Sequence, residues 1–551
     1  MNTTNEQPDV TRNLRWQIYG ILIMLSAGLC LGRIVAVDNI TDRALQDYRL
    51  KTVKRQRLDE KRKELEQDVR NFPQDVIEKE LKRIDEALTK NFLTARPTLS
   101  ANDRSRFCTI RALVEPEFRE KRTVVINGEQ VEQVVPYAID KIRTRTGWDT
   151  IDMVYHALPD DPDARYMYSS KPPLLPTVMA IPYWGIYNTT GCTFDTHPYL
   201  LTRITLILCH LLPLVIGWYL MASLIERFGF SDWGRLFAVA LTCFATFLST
   251  FVVTLNNHIP AIFCIIVAVY AGVRIWFDGD TRKRWFVLAG FFAAFAFANE
   301  LPSAVFFAIL GMALLLKFPR QTFMAGVPAA VVVVAAFFAT NYIAHKTLLP
   351  AYSQPDWYKF DDFVKYEKLV KCHWNNPSGP DIGEPNTGVY AFHTIAGHHG
   401  ILSLTPVWVI AIFGGYIMIR RPASGFRLQK EVSNTNTEVG SPKSETQSPM
   451  RDFALMTLVM TLICIVFYVF VMKQENRNYG GMTCGHRWSF WLIPFWTLCL
   501  LPALDSMAKH RSLRWCGLFL LLLSAMSVAY PLWNPWSVPW LQYFMLYLGL
   551  L

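Results

Sequence analysis

Long apolar runs recur along this chain, separated by short polar connections that carry lysine and arginine. Most runs hold about 20 residues, the length that an α-helix needs to cross a hydrocarbon core about 30 Å thick. The pattern predicts an all-α polytopic membrane protein with about eleven transmembrane helices and a large outer loop between the first two. The predicted spans are residues 16–37, 199–224, 235–254, 258–277, 285–299, 302–317, 322–343, 400–418, 453–472, 488–506 and 513–531.

The charges of the connections orient these spans. Basic residues such as Arg15 precede the first span, and others, such as Arg227 and Arg420, follow the even-numbered spans. Lysine and arginine accumulate in short cytoplasmic loops, so the N-terminus is predicted to be cytoplasmic and the C-terminus to lie outside. The run 285–317 is basic at both ends, and we expect a hairpin of two short helices there with Glu300 near its tip. One long tilted helix is the alternative.

The same pattern divides the chain into membrane and non-membrane segments. Within the long outer loop, residues 43–90 have the apolar spacing of amphipathic helices, and Pro73 should split them into a helical hairpin. The segments are the cytoplasmic N-terminus and first span (1–37), the outer loop domain (38–198), spans two to seven (199–343), a second outer loop (344–399), span eight (400–418), a flexible cytoplasmic linker (419–452), and the last three spans with a C-terminal tail (453–551).

Composition narrows the functional classes. Of 551 residues, 52% are hydrophobic and only 18% are charged, whereas soluble domains carry about 25% charged residues. This excludes a water-soluble enzyme, a disordered scaffold and a collagen-like chain. The net charge of +10 follows from basic cytoplasmic loops, so no nucleic-acid partner is expected.

Four of the 11 cysteines fall in the predicted outer loops. They form two disulfides or remain free thiols, and the sequence favours neither alternative. We expect Cys372 and Cys484 to come close or to pair. The other two outer cysteines are Cys108 and Cys192.

The outer loops also hold the candidate chemistry, because loops on a rigid scaffold often carry function. Asp103 and Arg106 lie one helical turn apart after a possible cap at Ser100 or Asn102, so Asp103 is either a general base or a capping carboxylate. Lys171 precedes a Pro-Pro pair that should open an interfacial helix, where a lysine can bind a lipid phosphate or simply extend towards the headgroups.

Two further groups complete the set of candidates. Arg487, beside His486, suits recognition of a phosphate. His398 and His399 precede span eight, but no cysteine or carboxylate recurs at ligand spacing, so no metal site is expected.

Three of these elements resemble the motifs of the family 39 glycosyltransferases, which include the protein O-mannosyltransferases and the aminoarabinose transferase of lipid A. Asp103-x-x-Arg106-Phe107, followed by Ile110 and Leu113, is similar to their "DExRY…I…ML" stretch. Lys171-Pro172-Pro173-Leu174 with Trp184 resembles "KPPL…YW", and Gly485-His486-Arg487 before Pro494 resembles "R…LPLLP". The resemblance spans about residues 100–505 and implies a GT-C-like bundle of transmembrane helices.

The resemblance implies that a sugar passes from a polyprenyl-phosphate donor to an unknown acceptor (lipid, glycan or protein) at the outer face, with inversion and without a metal or other cofactor. Asp103 would be the general base. Arg106, Lys171, His486 and Arg487 would bind the donor phosphate or substrate, together with Tyr183, Trp184, His398 and His399. The setting would be the bacterial inner membrane.

The chain departs from the family pattern at two points, which keeps alternatives open. The family's paired acidic residues are Asp103-Arg104 here, and the distance from the first span to Asp103 is long. Asp38, Asp42 and Asp152 therefore remain rival bases. A transporter or flippase using Glu300 or Arg203, a polymerase or ligase of lipid-linked glycans, and a structural anchor are the alternative functions.

Reporter fusions test the predicted topology. Fusions at Ser441 and Gly480 should report opposite sides of the membrane, because one crossing separates them. Both reporters on the same side would contradict the scheme.

Overall fold

The computed structural model describes residues 10–36, 49–67, 72–93, 100–145, 147–420, 449–531 and 534–550. Most of these residues are helical. The helices are α1 Val10–Ala36, α2 Lys54–Glu66, α3 Gln74–Leu93, α4 Ala101–Val114, α5 Asp140–Arg143, α6 Leu174–Thr190, α7 Pro198–Phe228, α8 Asp232–Phe244, α9 His258–Trp276, α10 Lys283–Asn299, α11 Ala304–Lys317, α12 Pro319–His345, α13 Thr387–Ile395, α14 Ile401–Leu404, α15 Trp408–Arg420, α16 Pro449–Val471, α17 Ile493–Cys499, α18 Leu501–Met507, α19 Arg511–Ala529 and α20 Trp540–Tyr547. The strands are β1 Glu120–Ile126, β2 Glu129–Val135, β3 Met153–Leu158, β4 Asp161–Ser169, β5 Phe363–Lys365 and β6 Lys368–Val370.

The chain divides into two compact units. The helix unit comprises Met1–Ile34, Leu206–Asn341 and Asn376–Leu551, and the loop unit comprises Val35–Thr205 and Tyr342–Asn375. The loop unit therefore combines the long loop after the first helix with the first part of the loop 344–399.

Among the described residues, six helices are long and apolar enough to cross a membrane: α1, α7, α9, α12, α16 and α19. The bent pair Arg487–Cys499 and Leu501–Met507, with 43° between its parts, would make a seventh. These helices are those of a multi-pass membrane protein. The predicted count of about eleven spans is not confirmed.

The apolar run 235–254 is not one helix, and side-chain hydrogen bonds satisfy part of its backbone. Helix α8 ends at Phe244, and the chain then forms turns and the short 3₁₀ helix Thr250–Val253 before α9 begins. Asn256 donates its side-chain amide to the carbonyls of Phe251 at 2.9 Å and Thr254 at 2.6 Å. Because these carbonyls have partners, a buried non-helical backbone is tolerated here.

Two other apolar runs are broken as well. The run 285–317 forms α10 and α11, which pack against each other on either side of Glu300, as the predicted hairpin requires. The run 400–418 is divided at Pro406 into α14 and α15, because proline cannot donate a helix hydrogen bond.

Glycines allow helices of the helix unit to pack closely. A Cβ atom on Gly290 of α10 would lie 2.1 Å from the carbonyl oxygen of Gly326 in α12. A Cβ atom on Gly414 of α15 would lie 2.0 Å from the carbonyl oxygen of Cys499 in α17. Both contacts are the close backbone approaches that small residues permit between membrane helices.

The predicted helical hairpin in the first loop is present as α2 and α3. Lys54 Nζ lies 2.9 Å from Asp85 Oδ1, and Arg62 Nη2 lies 3.5 Å from Glu78 Oε1. Residues 43–48 and 68–71 of the predicted segment lie outside the described residues.

Three antiparallel β-hairpins in the loop unit were not predicted. The turn between β1 and β2 is Asn127-Gly128, with φ values of 54° and 87°. Asn-Gly with positive φ at both positions is the preferred two-residue hairpin turn. Strands β1 and β2 are mostly exposed and lack the alternation of apolar and polar residues by which half-buried strands are recognised.

A buried ion pair joins α4 to α6. Arg111 Nε and Nη2 donate to the Glu115 carboxylate at 2.7 and 2.9 Å, and both side chains are fully buried. Tyr183 of α6 donates its hydroxyl to Glu115 at 2.8 Å. Arg111 Nη2 also lies 3.0 Å from Asp195 Oδ2. The charges are therefore compensated inside the loop unit, as buried ions require.

Glu115→Gln should strongly destabilise the loop unit, because it leaves Arg111 buried without its principal counter-charge. Breaking a buried pair costs about 3–5 kcal/mol, so we expect the thermal midpoint, followed by circular dichroism, to fall by about 10 °C. The control is Glu132→Gln, which removes the exposed partner of Lys121 and should change little. Equal shifts in both variants would contradict the assignment.

Candidate functional site

A capping box closes the first turn of α4. Ser100 is the N-cap, and its Oγ accepts the backbone N–H groups of Asn102 at 3.1 Å and Asp103 at 3.4 Å. In return, Asp103 Oδ1 accepts the N–H of Ser100 at 2.8 Å. Asp103 is only 1% exposed. It thus has the capping role that the sequence allowed as an alternative, and its role as a general base stays a prediction.

Arg106 is buried on the same helix. Its Nη1 donates to the carbonyl of Asn102 at 3.0 Å and contacts Asn102 Oδ1. Arg106 is 2% exposed, so a donor phosphate could reach its guanidinium only if this turn moved.

The turn before β3 is fastened to the start of α4. Thr150 Oγ1 donates to the carbonyl of Ala101 at 2.6 Å, and Ser105 Oγ donates to the carbonyl of Asp152 at 2.6 Å. Ser105 Oγ also lies 2.6 Å from Ser169 Oγ at the end of β4. The segment 100–113 and the segment around Lys171 are thereby brought together through Ser105.

Lys171 and Asp152 form a partly exposed ion pair at this junction. The distance from Lys171 Nζ to Asp152 Oδ1 is 2.6 Å, and the two side chains are 22% and 20% exposed. The backbone N–H of Lys171 donates to Ser169 Oγ at 3.1 Å. Of the predicted bases that the structure describes, Asp152 is accessible and Asp103 is not; Asp38 and Asp42 lie outside the described residues.

A small polar cavity with room for about one water molecule lies beside Lys171 in the loop unit. Tyr168 and His345 line it and are 1% and 2% exposed, yet Tyr168 Oη and His345 Nε2 have no hydrogen-bond partner among the described residues. Its lining comprises Thr109, Tyr137, Tyr168, Ser169, Lys171, Pro173, Ala344 and His345.

His345, which lines this cavity, is paired with a second histidine, His156. His345 Nδ1 lies 3.1 Å from His156 Nε2, and His156 Nδ1 lies 2.8 Å from the carbonyl oxygen of Ala157. Trp357 stacks on His156 with ring centroids 3.8 Å apart. The sequence gives no signal for this pair, because its members are 189 residues apart and neither lies in a recognisable motif.

The two aromatic residues predicted to line a sugar pocket face different surroundings. Tyr183 is 3% exposed and bonded to Glu115, whereas Trp184, the next residue of α6, is 60% exposed. The structure gives Tyr183 a role in helix packing. Contact of either side chain with a sugar stays a prediction.

In the helix unit, Arg487 belongs to a network of ionisable groups. Its Nε donates to the carbonyl of Gly480 at 2.8 Å, and its Nη1 lies 3.4 Å from His258 Nε2. His258 Nδ1 in turn contacts Glu300 Oε1. His258 and Glu300 are buried. The sequence pattern indicates Arg487 and Glu300 separately. It gives no signal for His258, which contacts both.

The remaining predicted residues form a histidine cluster in the helix unit. His398 Nδ1 lies 2.5 Å from His399 Nδ1, and the His393 ring stacks on His398 with centroids 3.9 Å apart. Burial, reinforced by His393, lowers the pKa of His398 to about 4. Burial, reinforced by Arg487, lowers the pKa of His486 to about 3. These side chains are neutral at pH 7.

No group of three or more His, Cys, Asp or Glu side chains in the described part of the chain is arranged to hold a metal ion. All cysteines are free thiols, so the expected disulfide between Cys372 and Cys484 is not present. Cys372 Sγ instead donates to the carbonyl of Tyr358 at 3.2 Å within the loop unit, and Cys484 is buried in the helix unit.

Acidification should destabilise the histidine cluster. An unfolded histidine has a pKa of about 6.5, above the value of about 4 for folded His398. Between these values the unfolded state binds a proton that the folded state does not. The contribution of neutral His398 to the free energy of unfolding is therefore complete above pH 6.5. It falls by up to about 1.4 kcal/mol per pH unit as the pH decreases to about 4.

His398→Gln should make the dependence of the thermal midpoint on pH shallower between pH 4 and 6.5. The control, His197→Gln, alters an exposed histidine and should keep the wild-type slope. An unchanged slope in His398→Gln would show that this titration does not control stability.

No protein-family model, curated protein or solved structure matches this chain.

Proposed function

We propose that this chain is a membrane glycosyltransferase with a GT-C-like bundle of about eleven transmembrane helices. It transfers a sugar from a polyprenyl-phosphate donor to an acceptor at the outer face of the bacterial inner membrane. The observation that carries the proposal is the accessible Lys171–Asp152 pair beside a polar cavity. The resemblance of residues 100–184 to the family motifs adds to it.

The donor phosphate is assigned to Lys171. Its ammonium group is partly exposed and lies two residues before the N-cap of the 17-residue helix α6. A lysine here can hold a lipid phosphate, and the positive end of the helix dipole adds to the attraction. In the absence of a donor, Asp152 keeps the ammonium group in place.

The reaction itself is a direct displacement at the anomeric carbon. The departing lipid phosphate is already a good leaving group, and a fixed cation stabilises the charge it gains. The reaction therefore needs no metal and inverts the configuration. The apolar helices of the helix unit would hold the protein in a bilayer, where a lipid-linked donor also resides.

The direct test uses the full-length protein in lipid nanodiscs with radiolabelled undecaprenyl-phosphate mannose, glucose or aminoarabinose. Release or transfer of the labelled sugar from at least one donor is the expected result. Intact donors in every case would contradict the proposal.

A transporter of lipid-linked intermediates is the second candidate. The network of Arg487, His258 and Glu300 favours it, because ionisable groups buried among membrane helices often mark transport pathways. A transporter in proteoliposomes would move the labelled donor between leaflets and leave its sugar–phosphate bond intact.

Lys171→Ala should weaken binding of undecaprenyl phosphate by about 10- to 100-fold, the equivalent of one charge-assisted hydrogen bond. Asp152→Asn should bind at least as tightly as the wild type, because it removes a negative charge beside the phosphate. Binding can be measured by scintillation proximity with the labelled lipid.

The matched control is Lys121→Ala, which removes an exposed lysine of β1 and should leave binding unchanged. Equal losses in Lys171→Ala and Asp152→Asn would instead make the ion pair a structural feature.

A further inference from the structure

The hydrogen bonds of the two histidines determine the tautomer of His345. The carbonyl oxygen of Ala157 can only accept, so His156 Nδ1 must carry a hydrogen. Burial lowers the pKa of His156, so its ring is neutral and Nε2 is a bare acceptor. His345 Nδ1 must then donate to it. In a neutral His345 ring, Nε2 carries no hydrogen and is a proton acceptor.

The cavity therefore offers a complementary set of groups. His345 Nε2 can accept a hydrogen bond, the Tyr168 hydroxyl has no partner among the described residues, and the ammonium group of Lys171 can donate. A hydroxyl group matches this set, because it donates to the imidazole and accepts from Tyr168. A phosphate fits it less well, since an anion cannot donate to a bare nitrogen. The cavity has room for about one water-sized group, so it can take a single hydroxyl group and no larger part of an acceptor.

We propose that the cavity receives the hydroxyl group of the sugar acceptor and that His345 is the general base that removes its proton. This rests on the proposed glycosyltransferase function. His156 is a positioning residue, since it acts only by fixing the tautomer and orientation of His345. The proposal moves the base from Asp103, whose carboxylate caps α4.

The chemical step balances without any further reagent. As the acceptor oxygen forms a bond to the anomeric carbon, its O–H bond breaks and the proton moves to His345 Nε2. The bond from the anomeric carbon to the phosphate oxygen breaks, and its electron pair leaves with the lipid phosphate beside Lys171. The imidazolium then returns its proton to water, which restores the neutral pair.

The unpartnered polar atoms also affect the stability of the protein, which can be measured separately from turnover. A buried polar atom without a partner lowers stability, so a purely structural Tyr168 would be expected to have its hydroxyl paired. Tyr168→Phe should therefore leave the thermal midpoint at or above that of the wild type, while transfer slows because the acceptor hydroxyl loses a partner. A slower transfer rate with an unchanged or higher thermal midpoint distinguishes a group that contacts the ligand from a group that only packs.

The experiment compares full-length wild type, His345→Gln, Tyr168→Phe, Asp103→Asn and the control His197→Gln in nanodiscs. Three quantities are measured for each: affinity for undecaprenyl phosphate, the single-turnover rate of sugar release from the labelled donors, and the thermal midpoint. For His345→Gln we expect affinity within about twofold of the wild type and a rate lower by about 10²- to 10⁴-fold, the usual effect of removing a positioned base.

Each other result has a definite meaning. A wild-type rate in His345→Gln, or a large loss confined to Asp103→Asn, overturns the role of His345 and leaves the glycosyltransferase proposal intact. Parallel losses of midpoint and rate in both His345→Gln and Tyr168→Phe show a structural role and overturn the inference. A wild-type protein that releases no sugar overturns the proposed function, and the base assignment with it.

Discussion

The loop unit depends on a fully buried ion pair, Arg111 with Glu115. A guanidinium and a carboxylate cannot be buried separately without a large desolvation cost, so their mutual bonds hold the end of α4 in one arrangement. Tyr183 donates to the same carboxylate and thereby places α6 against α4. This contact also helps to position the cap at the start of α4 and Lys171, which lies just before α6. A site of small polar groups is precise only when its scaffold is this strongly constrained.

A related constraint governs the helix unit. Where its apolar segments leave the helical conformation, side chains such as Asn256 bind the freed carbonyls. Where ionisable groups are buried, they contact one another, as His258 does with Glu300. In a low-dielectric environment an unpaired polar group is costly. The segments between the helices are therefore as closely specified as the helices themselves.

Much of the local structure could be predicted from residues a few positions apart. The helical hairpin around Pro73, the break at Glu300, the helix after Lys171 and the capping carboxylate Asp103 all depend on short-range geometry. Exposed hairpins such as β1–β2 were missed because their alternation is weak, although the Asn127-Gly128 turn is a recognisable signal. The predicted count of about eleven spans is not confirmed, because several apolar runs form helices shorter than a full span in the described part of the chain.

The sequence by itself determined the class of protein, the segments able to enter a membrane and the residue types available for chemistry, because hydrophobic length, charge and turn propensity act locally. Only the tertiary structure decided which of these residues share a site. It buried Asp103 and Arg106, left Lys171 and Asp152 accessible, and paired His156 with His345 across 189 residues. Burial and long-range pairing arise from packing between distant segments. The spacing of residues along the chain therefore does not predict them.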